Sequence, residues 1–155
     1  MDTVSSVSRY IMQPDSLDTL QKKKETIVTS VALYKISTVF PFRVFPTVIT
    51  VDHQKVDIST SVFFGSREIN SILIDDIGSV VVDTSPFFAT MTIHDRLPTR
   101  EKITVEYLPK DKALKMRRII EGLIISHKTN TNLQNQPPSA AAARLESMGK
   151  IKPVA

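Results

Sequence analysis

The spacing of apolar residues along the chain changes at Pro109. Before it, short runs alternate apolar with polar residues, which is the pattern of half-buried strands. Each run is apolar on one face only, so the strands need a sandwich or a barrel to bury that face. The pattern predicts six strands, at residues 48–51, 55–63, 66–74, 79–84, 87–93 and 101–108. In the last of these, "EKITVEYL", Ile103, Val105 and Tyr107 share the apolar, inner face.

After Pro109 the apolar residues recur every three or four positions, which predicts an amphipathic helix over residues 111–127. Its apolar stripe contains Ala113, Met116, Ile120, Leu123 and Ile124, while most charged residues lie off the stripe. We therefore expect a mainly β domain in which one helix packs on an open part of a curved antiparallel sheet or partly open barrel.

The two ends of the chain have other patterns. Residues 14–25 suit a short helix, residues 26–37 suit a strand or an extended arm, and "VFPFRVFP" at 39–46 is a proline-broken connector. Residues 129–138 are polar and read as a linker or disordered segment, followed by a possible short helix at 139–149. The predicted organisation is an N-terminal arm (1–45), a folded domain (46–128) and a flexible tail (129–155).

Composition narrows the class of protein. The 155 residues include no cysteine, which excludes disulfides and thiolate sites. Neither a signal peptide nor an apolar run of about 20 residues is present, so we expect a soluble, cytoplasmic protein.

The net charge of +4 is unevenly spread along the chain. Residues 47–109 carry five basic and nine acidic groups (−4), and residues 110–128 carry six and two (+4), with no aromatic and basic interleaving for nucleic acid.

All seven phenylalanines fall in three short segments, two of which contain the pair Phe-Phe. Because neighbouring side chains of a strand point to opposite faces, only one ring of each pair can enter the core. By this alternation, Phe87 should point into the core with Met91 and Ile93, and Phe88 should point away from the core. One of Phe63 and Phe64 should likewise point away from the core. We expect other residues to shield the outward-pointing ring of each pair from solvent. Either the connector or the N-terminal helix of the same chain does so, or another subunit does. The candidate interaction residues are Phe42, Phe45, Phe63, Phe64, Phe87 and Phe88.

Candidate catalytic residues are few and scattered. His53, His94 and His127 lie far apart in sequence and are interpreted as surface residues, and Asp75 and Asp76 precede Gly78 as turn formers. The sequence shows no general base that would activate the Ser85 hydroxyl, and the four glycines are isolated and form no phosphate-binding loop. We therefore predict no catalytic residue, no metal site and no cofactor, and a chain that is not an enzyme.

A resemblance to a family supports this interpretation. The strands from "VFPTVITVDHQKVDI" to "FFATMTI", with the helix that begins "LPKDKALKMRRII", resemble bacterial pleckstrin-homology-like domains over residues 45–127. The resemblance implies a curved sheet closed by a C-terminal helix and a role in interaction and oligomerisation. Relatives that bind phosphoinositides use several cations in the first hairpin. Here Thr47–Thr60 has only Lys55, so that lipid site is not expected.

The sequence thus predicts a non-catalytic interaction or assembly module, with a second copy or an unidentified protein as its partner and no nucleic acid. The alternative is peripheral association with a membrane surface through the basic and Phe-rich N-terminal segment, where Lys22–Lys24 and the connector supply charge and aromatic rings.

Overall fold

The structure is a computed structural model that describes residues 31–99 and 101–150. Within these residues, seven antiparallel strands form a four-stranded sheet in the order β1-β2-β3-β4 and a three-stranded sheet in the order β5-β6-β7. The strands are β1 (Tyr34–Ser37), β2 (Thr47–Val51), β3 (Lys55–Ser61), β4 (Arg67–Leu73), β5 (Ile77–Thr84), β6 (Phe88–Asp95) and β7 (Ile103–Pro109). The prediction of a mainly β fold is confirmed.

The two sheets bury the apolar half of each alternating strand. On β2 and β6 the buried positions follow a strict period of two, so that Ile49 and Val51, and likewise Met91 and Ile93, point into the same core. The register of β2 on β3 places Ile49 opposite Ile58, so both strands direct their apolar rows to one side. One hydrophobic core results, shared by both sheets and the helices.

Helix α1 (Lys110–Lys128) follows β7 directly and packs on β1, β5, β6 and β7. Of the predicted stripe, Ala113, Met116, Ile120 and Leu123 are buried in the core, and Ile124 is partly buried against it. The sheets do not close into a barrel. They meet on one side, where the Val39 N–H donates to the Tyr107 carbonyl oxygen (3.0 Å) next to the end of β1.

The possible short helix at residues 139–149 is present, and it is docked. Helix α2 (Pro138–Gly149) packs along α1, and Leu133, Ala141, Ala142 and Leu145 are all buried. The linker and the helix are thus held against the folded domain, where a flexible tail had been expected. The short helix has an apolar face that α1 covers, which supplies the partner surface that an isolated helix of this length lacks.

Ion pairs reinforce the contact between the two helices. The Glu146 carboxylate lies 3.3 Å from Arg118 and 3.9 Å from Lys115 on α1, and 3.4 Å from Lys150. Burial by itself raises the pKa of Glu146, but the cations Lys150, Arg118 and Lys115 together lower that pKa below its ordinary value. The carboxylate of Glu146 therefore holds α2 to α1 in its ionised form.

At the other end of the chain, the predicted helix at residues 14–25 lies outside the described residues. Within the predicted strand or arm at 26–37, Tyr34–Ser37 forms β1, a seventh strand at the edge of the first sheet. The proline-broken connector runs as a loop between β1 and β2. This loop carries three of the phenylalanines and fixes where they lie.

We expect Ile120→Ala to lower the free energy of unfolding by about 2–5 kcal/mol, because its side chain is fully buried between α1 and the sheets. Leu114→Ala, at a half-buried position of the same helix, is the matched control and should cost clearly less. Urea denaturation measures both values. An equal cost at the two positions would show that the stripe does not face the core.

Candidate functional site

The phenylalanines and Tyr107 gather at one end of the two sheets. The connector ends at Phe45, just before β2 begins; Phe63 and Phe64 follow the end of β3; and Phe88 opens β6, opposite Pro109 at the end of β7. In antiparallel sheets these strand ends lie side by side. We call the seven phenylalanines and Tyr107 at this end the aromatic patch.

Two clusters of rings make up most of the aromatic patch. In the first, Phe42 lies 4.7 Å from Phe88 and 5.9 Å from Tyr107, measured between ring centroids. In the second, Phe45 and Phe64 each lie 5.2 Å from Phe63. The Phe42–Tyr107 pair is stacked and the other pairs are tilted or T-shaped, and these separations and orientations are those of favourable aromatic pairs. The connector supplies one ring to each cluster, so part of the cover for the outer rings is intramolecular.

For the second Phe-Phe pair, the prediction that Phe87 points into the core is wrong. The Ser85 N–H donates to the Phe88 carbonyl oxygen (2.8 Å), which makes residues 85–88 a tight turn, and β6 begins only at Phe88. Phe87 therefore stands outside the alternation and its ring is 81% exposed. Phe88 does point away from Met91 and Ile93, as expected, and is half-buried under Phe42 and Tyr107.

The first pair, Phe63 and Phe64, does not lie in a strand. Strand β3 ends at Ser61 and the chain enters a short 3₁₀ turn, which the Val62 N–H closes by donating to the Ser66 carbonyl oxygen (2.8 Å). Phe64 has φ of 60° and the next residue, Gly65, has φ of 77°. Neither ring enters the core, so the expectation that one of them is inside is wrong. Phe-Phe-Gly forms the tip of the β3–β4 hairpin instead.

Tyr107 belongs to the same surface, although the alternation of "EKITVEYL" predicted it on the inner face. The pairing of β6 with β7 shifts between Ala89 and Met91, which leaves an extra residue on β7. Tyr107 sits at this bulge with φ of 58°, and the bulge turns its ring outward to Phe42 and Phe88. A left-handed backbone is costly for a bulky residue and is found where the surroundings or a function require it. Phe64 and Tyr107 both adopt one, and both are in the aromatic patch.

A large part of the aromatic patch is exposed to solvent. The exposed fraction is 99% for Phe64, 81% for Phe87, 76% for Phe40, 64% for Phe63 and 56% for Phe42. At ~200 Å² for a fully exposed ring, these five rings present roughly 700 Å² of apolar surface. Exposed apolar patches on monomeric proteins are usually smaller, about 300–600 Å². The aromatic patch is therefore a candidate interaction surface.

Charged residues that adjoin the aromatic patch in sequence nearly balance one another. Three cations and four anions lie within four residues of a phenylalanine or of Tyr107: Arg43, Arg67 and Lys110, and Glu68, Asp83, Glu106 and Asp111. A surface that binds anionic lipid carries an excess of cations. The balance favours a protein partner over a charged membrane.

A second, polar feature lies at the opposite end of the sheets, beside the end of α1. The histidines were expected far apart, but His53 and His127 both line a cleft of about 360 Å³ that also includes Asp75 and residues 130–134. His127 Nδ1 is 2.9 Å from an Asp75 carboxylate oxygen, and Nε2 is 2.8 Å from the His53 carbonyl oxygen. Both ring nitrogens face acceptors, so His127 has no free nitrogen to serve as a general base.

The polar cleft has a structural role in the loops around it. Asp52 accepts hydrogen bonds from the Gln54 and Lys55 N–H groups (2.7 and 2.8 Å), which shapes the β2–β3 turn that carries His53. Burial lowers the pKa of His53, Asp52 opposes that change, and His127 adds to it. No three His, Asp or Glu side chains are grouped as metal ligands in residues 31–99 and 101–150. His127 thus ties α1 to the turns at 53 and 75.

No protein family model matches the sequence, and no curated protein matches it. Neither of the two described helices has the length and hydropathy needed to cross a bilayer. The aromatic patch, rather than a catalytic constellation or a relative, is therefore the feature from which function is inferred.

Proposed function

We propose that this chain is a non-catalytic assembly module that associates with a second copy of itself through the aromatic patch. The observation that carries the proposal is the exposure of Phe64, Phe87, Phe40 and Phe63 on one end of a domain with a well-packed core. Leaving so much apolar surface in water costs free energy, at ~25 cal/mol per Å². A partner that covers the rings recovers that free energy.

The size of the aromatic patch supports a second copy as the partner. The roughly 700 Å² of exposed ring surface is close to the ~800 Å² that each partner buries in a stable protein–protein interface. In a two-fold contact the same surface serves both copies, so the patch needs no complementary site elsewhere on the molecule. The nearly balanced charges around it add little net repulsion between two identical surfaces.

The strand and helix order supports a pleckstrin-homology-like architecture for the module. Antiparallel strands that are followed directly by a helix agree with the curved sheet and C-terminal helix that the sequence resemblance implies. The first hairpin has only Lys55 as a cation, and its ammonium is paired with Asp57 at 2.9 Å. That pairing supports interaction with protein rather than with a phosphoinositide headgroup.

Sedimentation equilibrium of the full chain tests the proposal. We expect an oligomer at micromolar concentration, and we expect the double substitution Phe64→Ser and Phe87→Ser to weaken the association at least ~10-fold. The thermal midpoint should stay nearly unchanged, because neither ring is part of the core. Leu97→Ser, which removes an exposed apolar side chain from the β6–β7 loop at the opposite end, is the matched control and should leave the mass unchanged.

Two results would contradict self-association through the aromatic patch. One is a monomer at all accessible concentrations; the other is an unchanged mass in the double variant. Co-sedimentation of the wild type, but not the double variant, with anionic vesicles would assign the aromatic patch to a membrane surface instead. Binding to those vesicles should then disappear at high salt if it depends on basic residues.

A further inference from the structure

Strand β4 is an open edge of the first sheet. It pairs with β3 over seven consecutive residues with no shift of register, and within the part of the chain that the structure describes no strand pairs with its other side. Ile69 and Leu73 are apolar, exposed and on the same face of the strand. An edge of this kind is a template on which another strand can add.

The hydrogen bonds at both ends of the hairpin show which groups of β4 point outward. The Val62 N–H donates to the Ser66 carbonyl oxygen (2.8 Å), and the Ile74 N–H donates to the Gln54 carbonyl oxygen (2.8 Å). Because hydrogen-bonded pairs alternate along an antiparallel ladder, the even-numbered residues of β4 bond to β3. The odd-numbered residues direct N–H and C=O away from the sheet: Arg67, Ile69, Ser71 and Leu73.

The other sheet edges are less open. Strands β1 and β7 meet at the corner where the Val39 N–H bonds to the Tyr107 carbonyl oxygen. Strand β5 has an irregularity in its pairing between Ile77 and Ser79, and it carries Asp83 near its end. Irregular pairing and edge charges are the usual means of blocking strand addition. Strand β4 has no proline, no lysine and no bulge.

We propose that β4 is a second self-association site, at which β4 of another copy adds in the antiparallel direction. A two-fold axis at Ser71 sets Ile69 opposite Leu73 of the second copy, so apolar side chains pair across the junction on both sides of the axis. The three central pairs then form about six backbone hydrogen bonds. Arg67 and Glu68, the two charged residues of β4, lie at its start, outside these pairs.

This inference rests on the proposed self-association and adds a second contact to it, on a different surface. The aromatic patch joins copies through loop tips, and β4 joins them through the sheet. A copy that uses both surfaces contacts two neighbours, so the full chain should form assemblies larger than a dimer.

Ser71→Pro is the sharpest test of the β4 site. Proline removes the outward N–H of Ser71, while every hydrogen bond between β4 and β3 remains possible. Ser71→Val is the matched control, since it keeps the N–H and, like the proline variant, loses the 2.5 Å hydrogen bond from Ser71 Oγ to Asp57. Ile69→Lys is a second blocking variant that leaves the backbone intact and places a charge on the edge. Circular dichroism and the thermal midpoint verify the fold of each variant.

Sedimentation equilibrium should give a dimer for Ser71→Pro and for Ile69→Lys, and the wild-type mass for Ser71→Val. Adding Phe64→Ser and Phe87→Ser to Ser71→Pro should give a monomer. Wild-type mass in both blocking variants would overturn the β4 site and leave the aromatic patch standing. If the blocking variants reduce the mass and the phenylalanine variants do not, the β4 site stands and the patch fails. A monomeric wild type overturns both.

Discussion

Removal of residues 129–155 should lower the free energy of unfolding of the remaining domain by about 2–5 kcal/mol. Leu133 and Leu145 are buried against the folded domain, and each contributes ~1.5–3 kcal/mol by leaving water. At roughly 4 °C per kcal/mol, the thermal midpoint should fall by about 8–20 °C in a scanning calorimetry experiment.

Single substitutions in the full chain separate docking of α2 from general effects of truncation. Leu145→Ala should reproduce part of the loss, at about 2–5 kcal/mol, because the side chain is fully buried. Ser147→Ala, on the exposed side of the same helix, should change stability little. A truncated chain whose midpoint stays within a few degrees of the full chain would show that α2 is not held against α1, as the sequence pattern alone had suggested.

Gly122→Ala should destabilise the full chain by about 2 kcal/mol or more, although glycine to alanine inside a helix ordinarily stabilises by ~1 kcal/mol. A Cβ on Gly122 would overlap the Leu145 carbonyl oxygen and lie 2.7 Å from the carbonyl carbon. Gly149 on α2 meets the backbone of Arg118 in the same way. Because backbone atoms cannot rotate aside, the added methyl forces the two helices apart. Urea denaturation measures the change.

The truncated chain supplies the control for this collision. Without residues 129–155, Leu145 is absent, so Gly122→Ala should become neutral or should stabilise by up to ~1 kcal/mol through its helix propensity. The reversal of sign between the full and truncated chains is the expected result. Equal destabilisation in both would place the collision elsewhere on α1 and would contradict a close crossing of the two helices at Gly122.

Much of the fold was predictable because it depends on local periodicity. The alternation in β2 and β6 and the 3.6-residue period from Ala113 to Leu123 each identify one buried face from neighbouring residues alone. The predictions failed where the chain leaves the regular pattern. Residues 85–88 form a turn and Phe63–Gly65 a 3₁₀ tip, so the alternation of a strand wrongly placed Phe87 and one of Phe63 and Phe64 in the core.

The candidate site was predictable only as a set of residue types. The sequence pointed to Phe42, Phe45 and the two Phe-Phe pairs, but it predicted one ring of each pair in the core, and Tyr107 with the inner residues of its strand. A bulge on β7 turns Tyr107 outward to the phenylalanines, and bulge positions depend on the pairing partner rather than on the strand itself. His53 and His127, expected apart, meet across 74 positions of sequence through α1 and the β2–β3 turn.

The sequence by itself determined the elements of the central domain and the absence of any cysteine-dependent chemistry, since hydrophobic period and residue type are local properties. Only the tertiary structure decided that the polar linker after Lys128 leads into a docked helix, that Gly122 and Gly149 serve a close helix crossing, and that aromatic rings from three loops and β7 gather at one end. These features depend on contacts between residues far apart in the chain. These contacts stabilise the protein only after the sheets and α1 have folded and brought the contacting residues together.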